Sequence, residues 1–156
     1  EIYQNSKKIA KEINKKTCII YGGTRLTELV SSRWKTQINE NSKSKAFVAS
    51  LPEAHHNEIL SWDADLKGSK KNYALLFLRD NSEHSQVKKR FELTKELLEG
   101  KVKIYNFESQ ASDNTLIKLM ELVLVGDLIS LSLADELGMI PEDIEAIEKL
   151  KNLLGD

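Results

Sequence analysis

The sequence predicts an α/β fold: a three-layer sandwich in which a mainly parallel sheet of four to five strands lies between helices. Short apolar runs alternate with amphipathic stretches along the whole chain, which is typical of parallel sheets with right-handed crossovers. One run, residues 73–78, is apolar throughout, as are strands that helices cover on both faces. The length of 156 residues, 40% of them hydrophobic, suits a single domain with its own core.

The first expected elements are a helix, a strand and a second helix. Residues 6–15 carry apolar side chains at helical spacing, and residues 17–21 form a short apolar run that ends in two glycines. This run predicts a buried strand and a tight turn. Thr24 is the expected N-cap of the second helix, which ends near residues 39–41 because asparagine favours helix ends. Its expected inward side chains are Leu26, Leu29, Val30 and Trp34.

The middle of the chain predicts two more strands. The second strand covers residues 46–49, and a helical segment with a proline at its start follows over residues 52–62. Gly68 lies in a polar run that predicts a loop. The third strand is the apolar run at residues 73–78.

The last third continues the alternation with a helix, a fourth strand, a long helix and a final helix, expected over residues 82–98, 102–107, 113–137 and 141–154. Gly100 and Gly138 are the expected C-terminal caps of the first two of these helices. Because ligands bind at the carboxyl ends of parallel strands, the residues that follow each strand are the first candidates for a site.

The composition excludes several classes of protein. The chain has 23 Lys and Arg against 24 Asp and Glu, a net charge of −1, which argues against a general nucleic-acid binder. No apolar run approaches the ~20 residues of a membrane span. The single cysteine, Cys18, indicates an intracellular protein, and its place in an apolar strand predicts core packing rather than a nucleophile. The chain begins with Glu1 rather than Met, so it is either processed or part of something longer.

Two adjacent histidines, His55 and His56, lie between Glu53 and Glu58 after the second strand. Histidine titrates most easily near neutral pH, so this segment is a candidate site. A metal site would use His55 and Glu58 one helical turn apart, but adjacent histidines point apart and no second ligand pair exists. The alternative is a solvated helix start capped by carboxylates.

Two further segments leave both a functional and a structural interpretation open. Glu40 lies between two asparagines in a basic stretch, where positive charge could keep it ionised or hold an anionic substrate, or where it is simply exposed. Gly22 and Gly23 could let a ligand approach the backbone at a helix N-terminus. They lack a full nucleotide-binding motif, so an ordinary strand-to-helix turn is the alternative.

Several segments together resemble one known family. They are an N-E-N element within residues 33–41, an L-P-E-x-x-H-N element within residues 51–59, and a long helix followed by the tail at residues 141–154. The chain resembles the C-terminal half of the bifunctional phosphoglucose/phosphomannose isomerases of archaea and bacteria, within the sugar-isomerase (SIS) fold group. The resemblance implies a SIS-like, flavodoxin-like sheet and one SIS-like domain over residues 1–156.

The resemblance also implies roles for individual residues. Glu40 matches the base that moves a proton between sugar carbons C1 and C2, and His56 matches the histidine that assists ring opening from the neighbouring subunit. Ser132 takes the position where some members have a lysine. Gly22, Gly23, Asn57 and Ser132 are the expected substrate-binding residues. No cofactor and no metal are expected.

The expected function is therefore interconversion of glucose 6-phosphate or mannose 6-phosphate and fructose 6-phosphate through a cis-enediol, in the cytoplasm. The family's phosphate-binding loops lie in an N-terminal SIS domain, so the expected partners are that domain, a second copy in a homodimer and the sugar phosphate, without nucleic acid or membrane. The alternative is a non-catalytic SIS module for sugar-phosphate binding or dimerisation.

Overall fold

The computed structural model describes residues 1–23, 25–109 and 114–155. Along the chain, the first half comprises α1 (Ile2–Ile13), β1 (Thr17–Gly22), α2 (Leu26–Ser42), β2 (Ala46–Ser50), and two short 3-10 helices, η1 (Glu53–His55) and η2 (Glu58–Asp63). The second half comprises α3 (Leu66–Asn72), β3 (Tyr73–Arg79), α4 (Ser85–Leu97), β4 (Lys103–Glu108), α5 (Thr115–Leu137) and α6 (Glu145–Leu154). Within these ranges no helix has the length and apolarity that crossing a bilayer demands.

The four strands form one parallel sheet in the order β2-β1-β3-β4. The strand order reverses between β1 and β3, as in a doubly wound, flavodoxin-like sheet. Helices α1, α2 and α5 cover one face, while α4 and the two 3-10 helices cover the other. The predicted three-layer α/β fold with a parallel sheet is therefore confirmed, with four strands in the described residues.

Two hydrophobic cores lie on opposite faces of the sheet because successive strand residues point to opposite sides. Cys18 and Ile20 of β1 belong to the core under α1, α2 and α5, whereas Tyr21 belongs to the core under α4. Residues 74–78 of β3 are fully buried, as expected for a strand covered on both faces. Burial raises the pKa of the Cys18 thiol to about 12, in keeping with a core residue rather than a nucleophile.

Helices α2 and α5 meet around Trp34. Its indole Nε1 donates a hydrogen bond of 2.8 Å to the main-chain oxygen of Leu122, and the side chain is fully buried. A Cβ atom at Gly126 would lie only 2.3 Å from that indole nitrogen, so glycine is what lets the ring sit against α5. On the two sides of this contact, Arg33 pairs with Asp127 at 3.3 Å and Asn41 donates to the Ser130 hydroxyl at 2.8 Å.

Two of three local expectations were wrong, and the helical segment expected over residues 52–62 was right only in part. Leu29 is 71% exposed, because the buried stripe of α2 runs through Thr27, Val30, Ser31, Trp34 and Ile38 and leaves position 29 beside it. The predicted helix over residues 52–62 is two 3-10 helices, the second of which begins where the Asn57 side chain accepts a hydrogen bond from the Glu58 N–H. The predicted loop around Gly68 is α3, which the Asp65 carboxylate caps by accepting from the Gly68 N–H at 2.9 Å.

Other boundaries agree within a few residues. Gly138 caps α5 with a φ of 65°, as predicted, and α6 begins at Glu145 rather than at residue 141. The expected cap at Thr24 and the expected helix start at Asp113 lie outside the described residues.

The close contact between Trp34 and Gly126 predicts that Gly126→Ala destabilises the protein, although alanine favours helices. The added methyl group must displace the buried indole, and we expect the free energy of unfolding to fall by about 1–3 kcal/mol, as in other overpacked cores. Urea denaturation of the wild type, G126A, W34F and the double variant measures this. In the W34F background the cost of G126A should shrink by at least about 0.5 kcal/mol, because the smaller ring leaves room for the methyl group. Equal costs in both backgrounds would show that the indole is not the constraint.

Candidate functional site

Glu40 lies in the last turn of α2, beside a groove of about 590 Å³ between the end of that helix and the start of α6. The Glu40 side chain is exposed. The groove is lined by Thr36, Asn39, Glu40, Lys43 and residues 143–147. An accessible carboxylate at the mouth of a groove of this size can meet a small polar substrate.

Lys43 fixes the backbone at the end of this groove. Its φ of 57° ends α2 in the left-handed conformation. Its Nζ donates to the main-chain oxygen of Glu40 at 2.6 Å and to that of Pro141 at 3.1 Å. The end of α2 is thereby tied to the segment that joins α5 and α6, and an ammonium group lies within the groove.

The two histidines have different surroundings. His55 is half-buried, with Nε2 2.8 Å from the Thr94 hydroxyl and Nδ1 3.1 Å from an Arg90 guanidinium nitrogen, both on α4. Arginine can only donate, so Nδ1 accepts and Nε2 carries the proton in this arrangement. His56 is exposed. His55 thus anchors η1 to α4, and His56 is the histidine that a ligand can reach.

Burial, followed by the neighbouring Arg90 and His56, lowers the pKa of His55 below its ordinary value of 6.5. The neutral ring therefore persists to lower pH in the folded protein than in the unfolded chain. This fits a positioning role for His55, because a neutral ring keeps the acceptor that Arg90 needs.

Asn57 is exposed at the start of η2, where its Oδ1 accepts a hydrogen bond of 2.6 Å from the Glu58 N–H. Its amide nitrogen is the part that a ligand could use. The two 3-10 helices remove the α-helical spacing on which a His55–Glu58 metal pair would depend. In the described part of the chain, no three His, Cys, Asp or Glu side chains converge as metal ligands.

Within a single chain, Glu40 and His56 do not lie in the same site. Glu40 lies on α2, which packs on the same sheet face as α1 and α5. His56 follows η1, whose Ala54 is buried in the core on the opposite face. The sheet therefore lies between these two side chains.

At the turn after β1, the main chain of Gly22 and Gly23 contacts Thr27 of the same chain. The Gly23 N–H donates to the Thr27 hydroxyl at 2.9 Å. A Cβ at Gly22 would lie 2.6 Å from the Thr27 main-chain oxygen, so glycine here permits a close strand–helix approach. This geometry favours the turn interpretation of Gly22 and Gly23. Ser132 is 4% exposed on α5 and is not among the residues that line the Glu40 groove.

A buried charged cluster lies at the carboxyl end of β3, one of the strand ends at which a site is expected. Arg79 pairs with Glu83 at 2.8 Å, with both side chains 5% exposed. Lys118, buried within an otherwise apolar stretch of α5, pairs with Asp80 at 3.3 Å and donates to Asn81. The available sequence feature was a lysine whose neighbours in sequence, residues 116–117 and 119–120, are apolar. Arg79 also pairs with Glu92 at 3.0 Å, so among the described residues these charged groups are paired with one another.

Comparison with known proteins identifies a family and several relatives. Residues 2–154 match the family described as the bacterial phospho-glucose isomerase C-terminal SIS domain. The chain is 36% identical over 151 residues to the bifunctional phosphoglucose/phosphomannose isomerase of Aquifex aeolicus, covering 97% of this chain and 46% of that protein. It is 32% identical over 151 residues to the protein of the same name in Caldicellulosiruptor bescii, covering 97% and 44%.

The fold is also similar to solved structures. The C-terminal domain of glucosamine-fructose-6-phosphate aminotransferase from Francisella tularensis superposes with a TM-score of 0.71 at 14% identity, over 91% of this chain and 42% of that one. This likeness concerns the fold alone. The chain spans less than half the length of the two curated relatives.

The lowered pKa of His55 predicts a specific loss of stability in mild acid. As pH falls through about 6.5, the unfolded chain gains a proton at this position before the folded protein does, so stability falls with pH. In His55→Gln this component is absent, and the stability advantage of the wild type should be largest above pH 7 and shrink toward pH 5. Urea denaturation at several pH values measures it. Arg90→Gln should reduce the effect, because the guanidinium lowers the His55 pKa. If the free energies of unfolding of the wild type and His55→Gln change with pH in parallel, the pKa of His55 is not lowered in the folded protein.

Proposed function

The chain belongs to the bacterial phospho-glucose isomerase C-terminal SIS domain family, and from this premise we propose that it forms part of the active site of a sugar-phosphate isomerase. The proposed reaction interconverts glucose 6-phosphate or mannose 6-phosphate and fructose 6-phosphate. The names of the curated relatives support this substrate class. The observation that carries the proposal is the exposed carboxylate of Glu40 at the mouth of the groove beside α2.

In the proposed reaction, Glu40 acts as the base. Its carboxylate removes the proton from C2 of the open-chain aldose, the C–H electron pair forms the C1=C2 bond, and O1 takes up a proton to give a cis-enediol. Loss of the O2 proton then forms the C2 carbonyl, and the carboxylic acid returns its proton to C1. Carbon acid–base steps of this kind need one positioned carboxylate. The Lys43 ammonium lies in the same groove and can offset negative charge that develops on the oxygens.

His56 is proposed to assist ring opening in a site completed by a second chain. Its ring is exposed and η1 is anchored through His55. Because the sheet separates His56 from Glu40 of the same chain, a shared site requires Glu40 from one copy and His56 from another. This requirement favours a homodimer.

The phosphate group is proposed to bind outside this chain. The groove beside Glu40 also contains the carboxylates of Asp143 and Glu145, which repel a phosphate dianion. The Gly23 amide at the first turn is already bonded to Thr27. An N-terminal SIS domain would supply the phosphate-binding loops, in keeping with the length of the curated relatives.

A second candidate function is a non-catalytic SIS module that binds a sugar phosphate or mediates dimerisation. What supports it is Ser132, which is buried and uncharged and which the family resemblance matches to a lysine of some members. In that case Glu40 and His56 would contribute to binding or remain idle, and no proton would move.

The catalytic proposal predicts that Glu40→Gln lowers kcat by at least about 100-fold, the usual range for a lost general base. The assay joins this chain to the N-terminal half of the Aquifex aeolicus relative and follows fructose 6-phosphate conversion, together with deuterium uptake from solvent into the product. Glu28→Gln, at the exposed opposite end of α2, is the matched control and should retain activity. Ligand binding without isomerisation in the wild-type fusion would favour the non-catalytic module.

The shared site predicts complementation between inactive variants. Glu40→Gln and His56→Gln fusions should each be impaired, and their mixture should recover about a quarter of wild-type activity after subunit exchange, because half of the dimers are mixed and each holds one intact site. Subunit exchange is first verified by mass spectrometry. If activity then does not recover, either both residues act within one chain or they do not share a site.

A further inference from the structure

A closed circuit of three hydrogen bonds joins His55 to α4, and we call it the His55 circuit. The Arg90 guanidinium donates to Nδ1 of His55 at 3.1 Å, and Nε2 of His55 lies 2.8 Å from the Thr94 hydroxyl. That hydroxyl donates to the Arg90 main-chain oxygen at 2.7 Å. A hydroxyl has one hydrogen, so towards Nε2 the Thr94 oxygen accepts. Both neighbours of the His55 ring therefore require the same neutral form, with its proton on Nε2.

The support on which this circuit rests is fixed. Thr94 is fully buried, and Val87 and Phe91 anchor α4 in the core on this face of the sheet. Removing the Thr94 hydroxyl leaves the Nε2–H of His55 without its acceptor, and removing the Arg90 side chain leaves Nδ1 without its donor. Unpaired polar groups away from water are costly, so each bond of the circuit favours the other two.

The circuit determines where His56 lies, because His56 follows His55 directly and its own ring is exposed. Leu51 holds the start of this segment: it is fully buried, and its N–H donates to the Gly22 oxygen at 2.9 Å. The His55 side chain holds the end of the segment. Apolar packing would keep η1 on α4 without fixing its orientation, whereas directional hydrogen bonds fix both. The position of the His56 ring therefore depends on two residues of α4.

We propose that Arg90 and Thr94 are positioning residues for sugar ring opening, because through His55 they hold His56 in place. This inference rests on the proposed role of His56 in that step. Ring opening breaks the C1–O5 bond: O5 gains a proton, and the O1 hydroxyl releases one as the C1=O bond forms. An acid–base group assists only when it lies within hydrogen-bond reach of the reacting oxygen, and small displacements slow the reaction strongly. Arg90 and Thr94 thus affect the rate without touching the sugar.

The same circuit lies apart from the proposed base. Helix α4 covers the sheet face opposite to the one on which α2 and Glu40 lie. Changes to Arg90 or Thr94 therefore leave the groove beside Glu40 as it is. Ring opening and proton transfer at C2 can accordingly be separated by experiment.

The test measures these two steps together in heavy water, with this chain joined to the N-terminal half of the Aquifex aeolicus relative. Nuclear magnetic resonance exchange spectroscopy follows the two anomers of glucose 6-phosphate, after subtraction of the spontaneous rate. Anomer exchange that keeps the C2 hydrogen reports ring opening and closing, and deuterium at C2 reports the step assigned to Glu40. For Arg90→Gln and Thr94→Val we expect anomer exchange to slow at least about fivefold. The KM should stay within about twofold of the wild-type value, because the phosphate is proposed to bind elsewhere.

Two control variants match these changes. Lys89→Gln removes one positive charge from the exposed position beside Arg90 and should keep the wild-type rate of anomer exchange. Thr94→Ser keeps the hydroxyl that Thr94→Val lacks and should recover most of the lost rate. Arg90→Gln alters a half-buried side chain, so it tests the circuit even if Thr94→Val prevents folding.

His56→Gln separates the two levels of the proposal. If it slows anomer exchange while Arg90→Gln and Thr94→Val do not, the positioning inference is overturned and the proposed role of His56 stands. If His56→Gln exchanges the anomers at the wild-type rate, the role of His56 is wrong, and the positioning inference fails with it. Equal losses in Thr94→Ser and Thr94→Val would also overturn the inference, because they would come from packing rather than from the hydroxyl.

Discussion

The candidate site depends on how the Trp34 indole packs between α2 and α5. Its N–H is bonded to the Leu122 oxygen, and Gly126 leaves room for the ring. These contacts fix the distance between the two helices. The groove beside Glu40 is built from the end of α2 and the segment that follows α5, so its width follows from that helix spacing. The groove is thus positioned by a core residue that does not line it.

Buried ion pairs lie at the carboxyl end of β3. Parallel sheets generally bind ligands at the carboxyl ends of their strands. Here Arg79 with Glu83, and Lys118 with Asp80, neutralise one another at that edge with little exposure. Buried pairs of this kind contribute little net stability, but losing one partner leaves an uncompensated charge. Exposed titratable groups lie both at this edge, where His56 follows β2, and away from it, where Glu40 lies at the end of α2.

Much of the fold followed from the sequence because its evidence is local. A few neighbouring residues are enough to predict β3, which is a wholly apolar run, and the end of α5, which a glycine caps. The exposure of Leu29 could not be predicted in this way, because a shift of one position along a helix moves a side chain from the buried stripe to solvent. The positions of Glu40 and His56 in the chain came from motif resemblance. Their separation by the sheet came only from the fold, because sixteen residues of sequence distance do not reveal which face each element covers.

The chain has two tryptophans, and the fold assigns one to each core. Trp34 is buried among α1, α2 and α5, whereas Trp62, 5% exposed, is buried under the opposite face beside Tyr21. Each indole is therefore a built-in optical reporter for one layer of the sandwich. Removing either one leaves a chain whose intrinsic fluorescence describes a single side of the sheet. The two emission signals together distinguish a molecule that melts as a unit from one whose layers separate in turn.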